Sequence, residues 1–333
     1  MMEMSMNSVE RIDEYLQIEQ DAAAIVDDYR PAENWPHHGC IDVKDLSIRY
    51  SADQPLVLDK ISFHVGTFEK IGIVGRTGAG KSTLSLAMFR IVPHDSGRVL
   101  IDGMDIGKMG LWDLRSRLTI IPQDPVLFSG TVRTNLDPFD KHDDAALWAA
   151  LKRVHFLESM QTRPGHDDAN GPRGSIESKS ESSATLNSNI PHSTDKIDDA
   201  TEPLCGPSSN EASAAQGQRQ SSSVFARALL QASRIIIMDE ATASVDHSTD
   251  ARIQNTIRTE FSNATVLTIA HRLSTVMDYD KILVLDRGQV SQYGRPHELL
   301  EDKLGLLYQM CMESGEMDLL VDIAAKKASL NSQ

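Results

Sequence analysis

The stretch KIGIVGRTGAGKST, residues 70–83, decides the fold. Ile71, Ile73 and Val74 read as a short buried strand, and Lys81 to Arg90 reads as the helix that follows. Between them, Gly75-Arg76-Thr77-Gly78-Ala79-Gly80-Lys81-Ser82 fits G-x-x-x-x-G-K-[ST] at every fixed position. The glycines let the loop wrap so that backbone N–H groups face an anion. The following helix adds the positive end of its dipole. A phosphate loop of this kind implies ATP with magnesium. Lys81 is expected to reach the β- and γ-phosphates and Ser82 to be a magnesium ligand, with Arg76, Thr77, Ala79 and Thr83 completing the nucleotide site.

Such a loop needs a second acidic element. RIIIMDE, residues 234–240, supplies it: Ile235 to Met238 are apolar and are followed by Asp239 and Glu240. A buried strand ending in a carboxylate sets Asp239 where ligands of open α/β folds collect. Asp239 is expected in the magnesium shell, and Glu240 is placed to polarise an attacking water.

Outward from these two motifs, strand-like and helix-like segments alternate. IDVKDLSIRY, ISFHV, RLTIIPQ, TVLTIAH and KILVLDRG read as strands. Helices are expected over about Gln218 to Ala232, around Asp250 to Phe261, and in a tail from His297. The pattern predicts an α/β fold with a mainly parallel sheet covered by helices, and shows no internal repeat. Three regions are expected along the chain: 1–39, 40–312 and a helical tail 313–333. In the first, Val9, Ile12 and Leu16 recur at helical spacing before a Pro- and Gly-rich linker. Within the second, about 161–212 is polar, lacks aromatics, and is expected to be disordered, because it buries too little apolar surface to offset the entropy of ordering.

Bulk properties exclude several classes. A formal net charge of −15 argues against a nucleic-acid partner, which normally needs a basic face. Cys40, Cys205 and Cys311 are far apart and show neither metal-ligand spacing nor a disulfide framework. The first residues lack the apolar core of a signal peptide. No uncharged apolar run reaches the roughly 20 residues needed to span a bilayer, so no membrane-spanning segment is expected in this chain.

The order of the remaining motifs resembles an ATP-binding cassette. Tyr50, in DLSIRY, resembles the aromatic that stacks on adenine. Gln123, in IIPQDPVLFSGTVRTNLDPFD, resembles the Q-loop glutamine that touches magnesium and water and relays to membrane helices. Ser244-Val245-Asp246 resembles the D-loop. His271, in TIAHRLST, resembles the switch histidine that contacts the γ-phosphate. The phosphate-loop stretch, GTVRTNLDPFD and DKILVLDRGQVSQYGRPHELL together resemble the second nucleotide-binding domain of the C-subfamily, multidrug-resistance-associated exporters. The long polar insertion is similar to that of fungal members. The resemblance covers roughly Asn7 to Met312 apart from the insertion, with 1–39 similar to the tail that follows the last transmembrane helix.

The resemblance implies a P-loop α/β core, an antiparallel β subdomain and a helical subdomain carrying the insertion. It implies coupling of ATP hydrolysis to transport of organic anions, conjugates or drugs. The implied partners are a first nucleotide-binding domain and ABC transmembrane domains. The implied location is the cytosolic face of a vacuolar or plasma membrane, and the implied catalytic set is Glu240, His271 and Gln123, with Ser82, Gln123 and Asp239 on the metal.

Two departures stand out. The signature loop, normally Leu-Ser-x-Gly-Gln, reads Ala214-Ala215-Gln216-Gly217-Gln218. Gly217 and Gln218 remain, but Ala215 replaces the serine that donates to a γ-phosphate, a loss of roughly 1.5–3 kcal/mol. Ser221 to Ser223 then stand where aliphatic residues pack the signature helix. Cassettes of this family dimerise head to tail, so the altered loop would face the partner's nucleotide, in C-subfamily proteins usually the weakly hydrolytic site. Gly66-Thr67-Phe68 replaces the usual Pro-Gly turn. Two rival readings stay open: a nucleotide-binding fragment without turnover, and a soluble cassette acting in translation or DNA repair. The second normally carries two cassettes or a coiled-coil arm, and neither is seen in this sequence.

Overall fold

The computed structural model describes residues 2–18, 20–123, 127–154, 222–239, 254, 257–270 and 272–330. The chain divides into two compact units. The first comprises Met1–Thr119, Arg234–Ile237 and Ala264–Gln333, and the second Ile120–Ser233 and Met238–Asn263.

The first unit begins with helix α1 (Met2–Leu16) and an antiparallel sheet in the order β2-β1-β4-β5. Its strands are β1 (Ile41–Ile48), β2 (Leu58–Val65), β4 (Ser96–Ile101) and β5 (Met104–Asp105). Ile41 pairs with Val65 on one side and Ile101 on the other. The alternation of apolar and polar residues breaks between Val43 and Leu46, where the register shifts and Asp45 takes a positive φ of 47°. Gly97 is required there, since a Cβ would lie 2.3 Å from the Asp45 carbonyl oxygen.

A second sheet runs in the order β10-β9-β3-β8-β7-β6. These strands are β3 (Lys70–Gly75), β6 (Leu118–Ile121), β7 (Ile235–Asp239), β8 (Thr265–Ile269), β9 (Lys281–Asp286) and β10 (Gln289–Gly294). β3 is parallel to both β8 and β9, and β10 closes the edge antiparallel to β9. Strands covered on both faces carry continuous apolar runs rather than alternation. Ile282 to Leu285 are accordingly all buried. One core joins the antiparallel sheet, helix α2 (Lys81–Met88) and β3, β7, β8 and β9. A second packs Val276, Met277 and Tyr279 against Leu307, Cys311, Leu320 and Ala324 of the C-terminal helices Leu306–Ser314 and Met317–Leu330.

The Pro- and Gly-rich stretch before β1 is fastened to this unit. Ala23 and Ala24 carbonyls accept from the N–H groups of Leu111 and Trp112, where helix α3 (Leu111–Arg115) begins. Trp35 is buried and its indole N–H donates to the Ile101 carbonyl at 3.2 Å. The Asp102 carboxylate accepts the N–H groups of His37, His38, Gly39 and Cys40. Burial opposes its ionised form, but those four donors hold its carboxyl below the ordinary value of 3.8. The Gly66 turn closes without proline, because the Glu69 carboxylate accepts the Gly66 N–H at 2.7 Å.

The second unit has its own core, from helices α4 (Val132–Leu136), α5 (Asp144–Arg153) and the helix over 222–231. α5 is capped by Asp143, which accepts the Ala146 N–H at 2.9 Å. Buried Asn135 explains part of the GTVRTNLDPFD segment. Its side-chain amide accepts from the Phe128 N–H at 2.8 Å and donates to the Phe128 and Thr131 carbonyls. Ser222 and Ser223 are themselves buried, so the helix packs here through small polar side chains. Residues 257–260 are helical. The insertion of about 161–212 lies outside the described residues. No helix among the described residues is long and apolar enough to cross a membrane.

Candidate functional site

The phosphate loop occupies the turn between β3 and α2, in the first unit. β3 delivers Gly75 beside β9, so close that a Cβ would sit 2.3 Å from the Leu285 carbonyl oxygen. Gly78 and Gly80 take φ values of 80° and 95°, the left-handed region that glycine adopts without strain. Arg76, Thr77 and Gly78 are exposed at the tip, whereas Ala79 and Gly80 are buried. The loop is locked from below by the Ala79 N–H to Arg76 carbonyl bond and the Gly288 N–H to Ala79 carbonyl bond.

Lys81 folds back over this loop, its Nζ donating to the carbonyls of Gly75 at 2.8 Å and Arg76 at 3.2 Å. Gly80 is the N-cap of α2 and has no side chain to accept the first-turn N–H groups. The N–H groups of a helix's first turn, with an ammonium beside them, fit a phosphate. Ser82 is exposed in the same first turn, while Thr83 is buried. Tyr50, just past β1, places its hydroxyl 2.9 Å from Thr83 Oγ1.

Gln123 follows β6 and is exposed, and Asp239 ends β7 half-buried; both belong to the second unit. Ser82, Gln123 and Asp239 are oxygen donors of the type magnesium takes when substrate phosphates complete its shell. Among the described residues no group of three His, Cys, Asp or Glu is gathered for a metal. Glu240, His271, the signature residues Ala215, Gly217 and Gln218, and the D-loop residues Ser244 and Asp246 lie outside the described residues. Ala270, immediately before His271, donates its N–H to Ile73 of β3 at 3.1 Å.

Two contacts at the loop have no local sequence signal. Arg76 pairs with Glu313 of the C-terminal helix Leu306–Ser314 at 3.3 Å. Val57 and Leu58 press on Gly80, whose added Cβ would lie 2.5 Å from Leu58 Cδ2. Behind α2, His94 contacts the Ala87 carbonyl at 3.2 Å, and burial holds its imidazole below the ordinary range and so uncharged at neutral pH.

A β-strand feeding a glycine loop and helix, beside parallel strands and an antiparallel sheet, defines a P-loop NTPase fold. The ABC transporter family profile matches residues 58–243. The chain belongs to the ABC transporter family. It is 47% identical over 324 residues to the ATP-dependent bile acid permease of Saccharomyces cerevisiae, covering 97% of this chain and 18% of that protein. It is 46% identical over 313 residues to ABC transporter C family member 3 of Dictyostelium discoideum, covering 94% and 20%. A bacterial Atm1-family ABC exporter with ATP bound superposes with a TM-score of 0.72 at 26% identity, covering 94% of this chain and 48% of that one. The chain thus spans about a fifth of the length of these two curated relatives.

Proposed function

We propose that this chain is the ATP-binding and ATP-hydrolysing module of a C-subfamily exporter, the second nucleotide-binding domain of its transporter. The observation that carries the reading is the Lys81 ammonium, held over the Gly75 and Arg76 carbonyls at the uncapped start of α2. Gly75 to Thr83 would hold the triphosphate of ATP and Tyr50 the base. Ser82, Gln123 and Asp239 would hold magnesium, which when bound offsets the phosphate charge. Glu240 polarises the attacking water, and His271 contacts the γ-phosphate. The relative named a bile acid permease supports organic anions, conjugates or drugs as cargo.

The site is composite. Ala215, Gly217 and Gln218 would face the nucleotide of a first nucleotide-binding domain, while that partner's signature completes the Lys81 site. Ser244 and Asp246 would line the junction. ABC transmembrane domains, reached through Gln123, hold the module at the cytosolic face of a vacuolar or plasma membrane.

The test mixes the purified chain with a first cassette carrying an intact signature and measures ATP turnover. Stimulated turnover that Glu240→Gln removes is expected. No stimulation, with Glu240→Gln indistinguishable from wild type, sinks hydrolysis and leaves the second reading, a nucleotide-binding module without turnover. Ala215, where a phosphate donor is missing, favours that alternative.

A further inference from the structure

The C-terminal helix Met317–Leu330 is held differently along its length. Leu320 and Ala324 are buried in the second apolar cluster. None of residues 325–329 is fully buried, and there the helix carries an ion pair instead. The Lys327 ammonium lies 3.1 Å from Asp280 Oδ1, and Asp280 Oδ2 accepts the Lys70 N–H at 2.9 Å, at the head of β3. Lys326 and Ser329 are three positions apart and share another face, turned to solvent. The Ser329 hydroxyl donates to the Lys326 carbonyl at 2.8 Å, a bond within the helix's own last turn.

The sequence around Ser329 is unusual for this chain. The formal net charge is −15, and consecutive basic residues occur only at Lys152-Arg153 and Lys326-Lys327. Of these, only Lys326-Lys327-Ala328-Ser329 has a hydroxyl two residues on. Two ammonium groups ahead of a serine suit a protein kinase with an acidic substrate groove, which so acidic a surface would otherwise repel. We propose that Ser329 is a phosphorylation site for such a kinase, gated by the Lys327–Asp280 ion pair. A kinase takes its substrate extended, so both lysines enter the groove only after the last helical turn opens and Lys327 leaves Asp280. In the transfer the serine oxygen bonds to the γ-phosphorus of ATP, and the bond from that phosphorus to the β–γ bridging oxygen breaks. ADP departs, and the hydroxyl proton passes to a carboxylate of the kinase. The product resists closing again. A phosphate ester has no hydrogen to give the Lys326 carbonyl, and its charge of about −1.5 to −2 lies at the negative end of the helix. Modification therefore keeps Lys327 away from Asp280 and loosens the helix end from β3.

The test treats the full chain with ATP and the catalytic subunit of cyclic-AMP-dependent protein kinase, and assigns the phosphate by tandem mass spectrometry. Ser329 is expected to be modified in the folded chain. Lys326→Ala leaves the Asp280 pair intact and should slow that modification about tenfold, through lost charge complementarity. Asp280→Asn keeps a carbonyl oxygen for the Lys70 N–H but releases Lys327. It should raise the initial rate about two- to fivefold, the span of a part-exposed ion pair. Amide exchange over 325–330 should quicken both in phosphorylated wild type and in unmodified Asp280→Asn, while Leu320 to Ala324 keep their protection. An unmodified Ser329, a rate unchanged or lowered in Asp280→Asn, or exchange at 325–330 unaltered by the phosphate would overturn the inference. Should Asp280→Asn fail to fold, the exchange of wild type with and without phosphate decides alone.

Discussion

Arg76 in the phosphate loop and Glu313 in the helix Leu306–Ser314 form an ion pair at 3.3 Å across a separation of 237 positions. Both side chains are more than half exposed, so the pair contributes at most about 1 kcal/mol to stability. Its larger effect is on charge at the loop mouth. Glu313 screens a cation and adds an anion where phosphates would arrive. Glu313→Gln is expected to leave the melting temperature almost unchanged and to tighten nucleotide binding about twofold at low salt. Raising the salt should erase the gain, because screening shortens the reach of such charges to about 10 Å at 0.1 M. Titrations with ATP at two ionic strengths check this.

Gly78 and Gly80 share positive φ but differ in surroundings. Around Gly78 an added Cβ meets nothing within 4 Å, whereas at Gly80 it collides with Leu58. Gly78→Ala should cost about 1 kcal/mol, from backbone strain alone. Gly80→Ala carries the same strain plus overpacking and should cost about 2–4 kcal/mol. Urea unfolding of the two variants reads the difference, and equal losses would contradict the packing around Gly80.

Much of this arrangement is legible in the sequence because its causes are local. β3, the loop and α2 are specified by neighbouring residues: an apolar run, glycines at fixed offsets, then Lys81. β9 is legible for the same reason, since a strand covered on both faces is apolar throughout. β10 carries no apolar strand pattern in the sequence, because Gln289, Ser291 and Gln292 are polar and the strand lies at the sheet edge. β4 is equally hidden in the sequence: its first half, Ser96 to Arg98, is exposed, and only Val99 and Ile101 are fully buried. In the site, each residue of the loop could be named, but the contacts Tyr50 to Thr83 and Arg76 to Glu313 could not. They join positions far apart in the chain, and nothing near either partner encodes the other. Glu240 and His271 are marked in the sequence by motif order and lie outside the described residues.

Cys311 is fully buried in the second apolar cluster, and burial pushes its thiol up to about 11. The thiolate is the reactive species, so at neutral pH almost none is present. In a variant with Cys40→Ala and Cys205→Ser, Cys311 should resist a thiol reagent at pH 7.5 for as long as the fold holds. It should react at once in denaturant. Fast labelling under native conditions would contradict its burial.

Asp102 makes the residues before β1 sensitive to acid. Its carboxyl lies below 3.8 in the folded chain, so the ionised form stabilises the fold above that value. The contribution is lost as pH falls through the lowered value, when four backbone N–H groups lose a charged acceptor. Asp102 has a positive φ of 48°, which asparagine tolerates, so Asp102→Asn removes the charge without new backbone strain. Amide exchange of His37 to Cys40 at neutral pH should be faster in Asp102→Asn than in wild type. Wild-type exchange, corrected for its intrinsic pH dependence, should lose protection only below 3.8.

The fastening of residues 23–40 has a mechanical meaning. A pull arriving at Asp21 meets the carbonyls of Ala23 and Ala24, already tied to Leu111 and Trp112, and then Trp35 and the Asp102 knot at the head of β1. Residues 23–40 are thus a seated part of the antiparallel-sheet layer and not a free tether: displacing them means breaking these bonds or carrying β1 along.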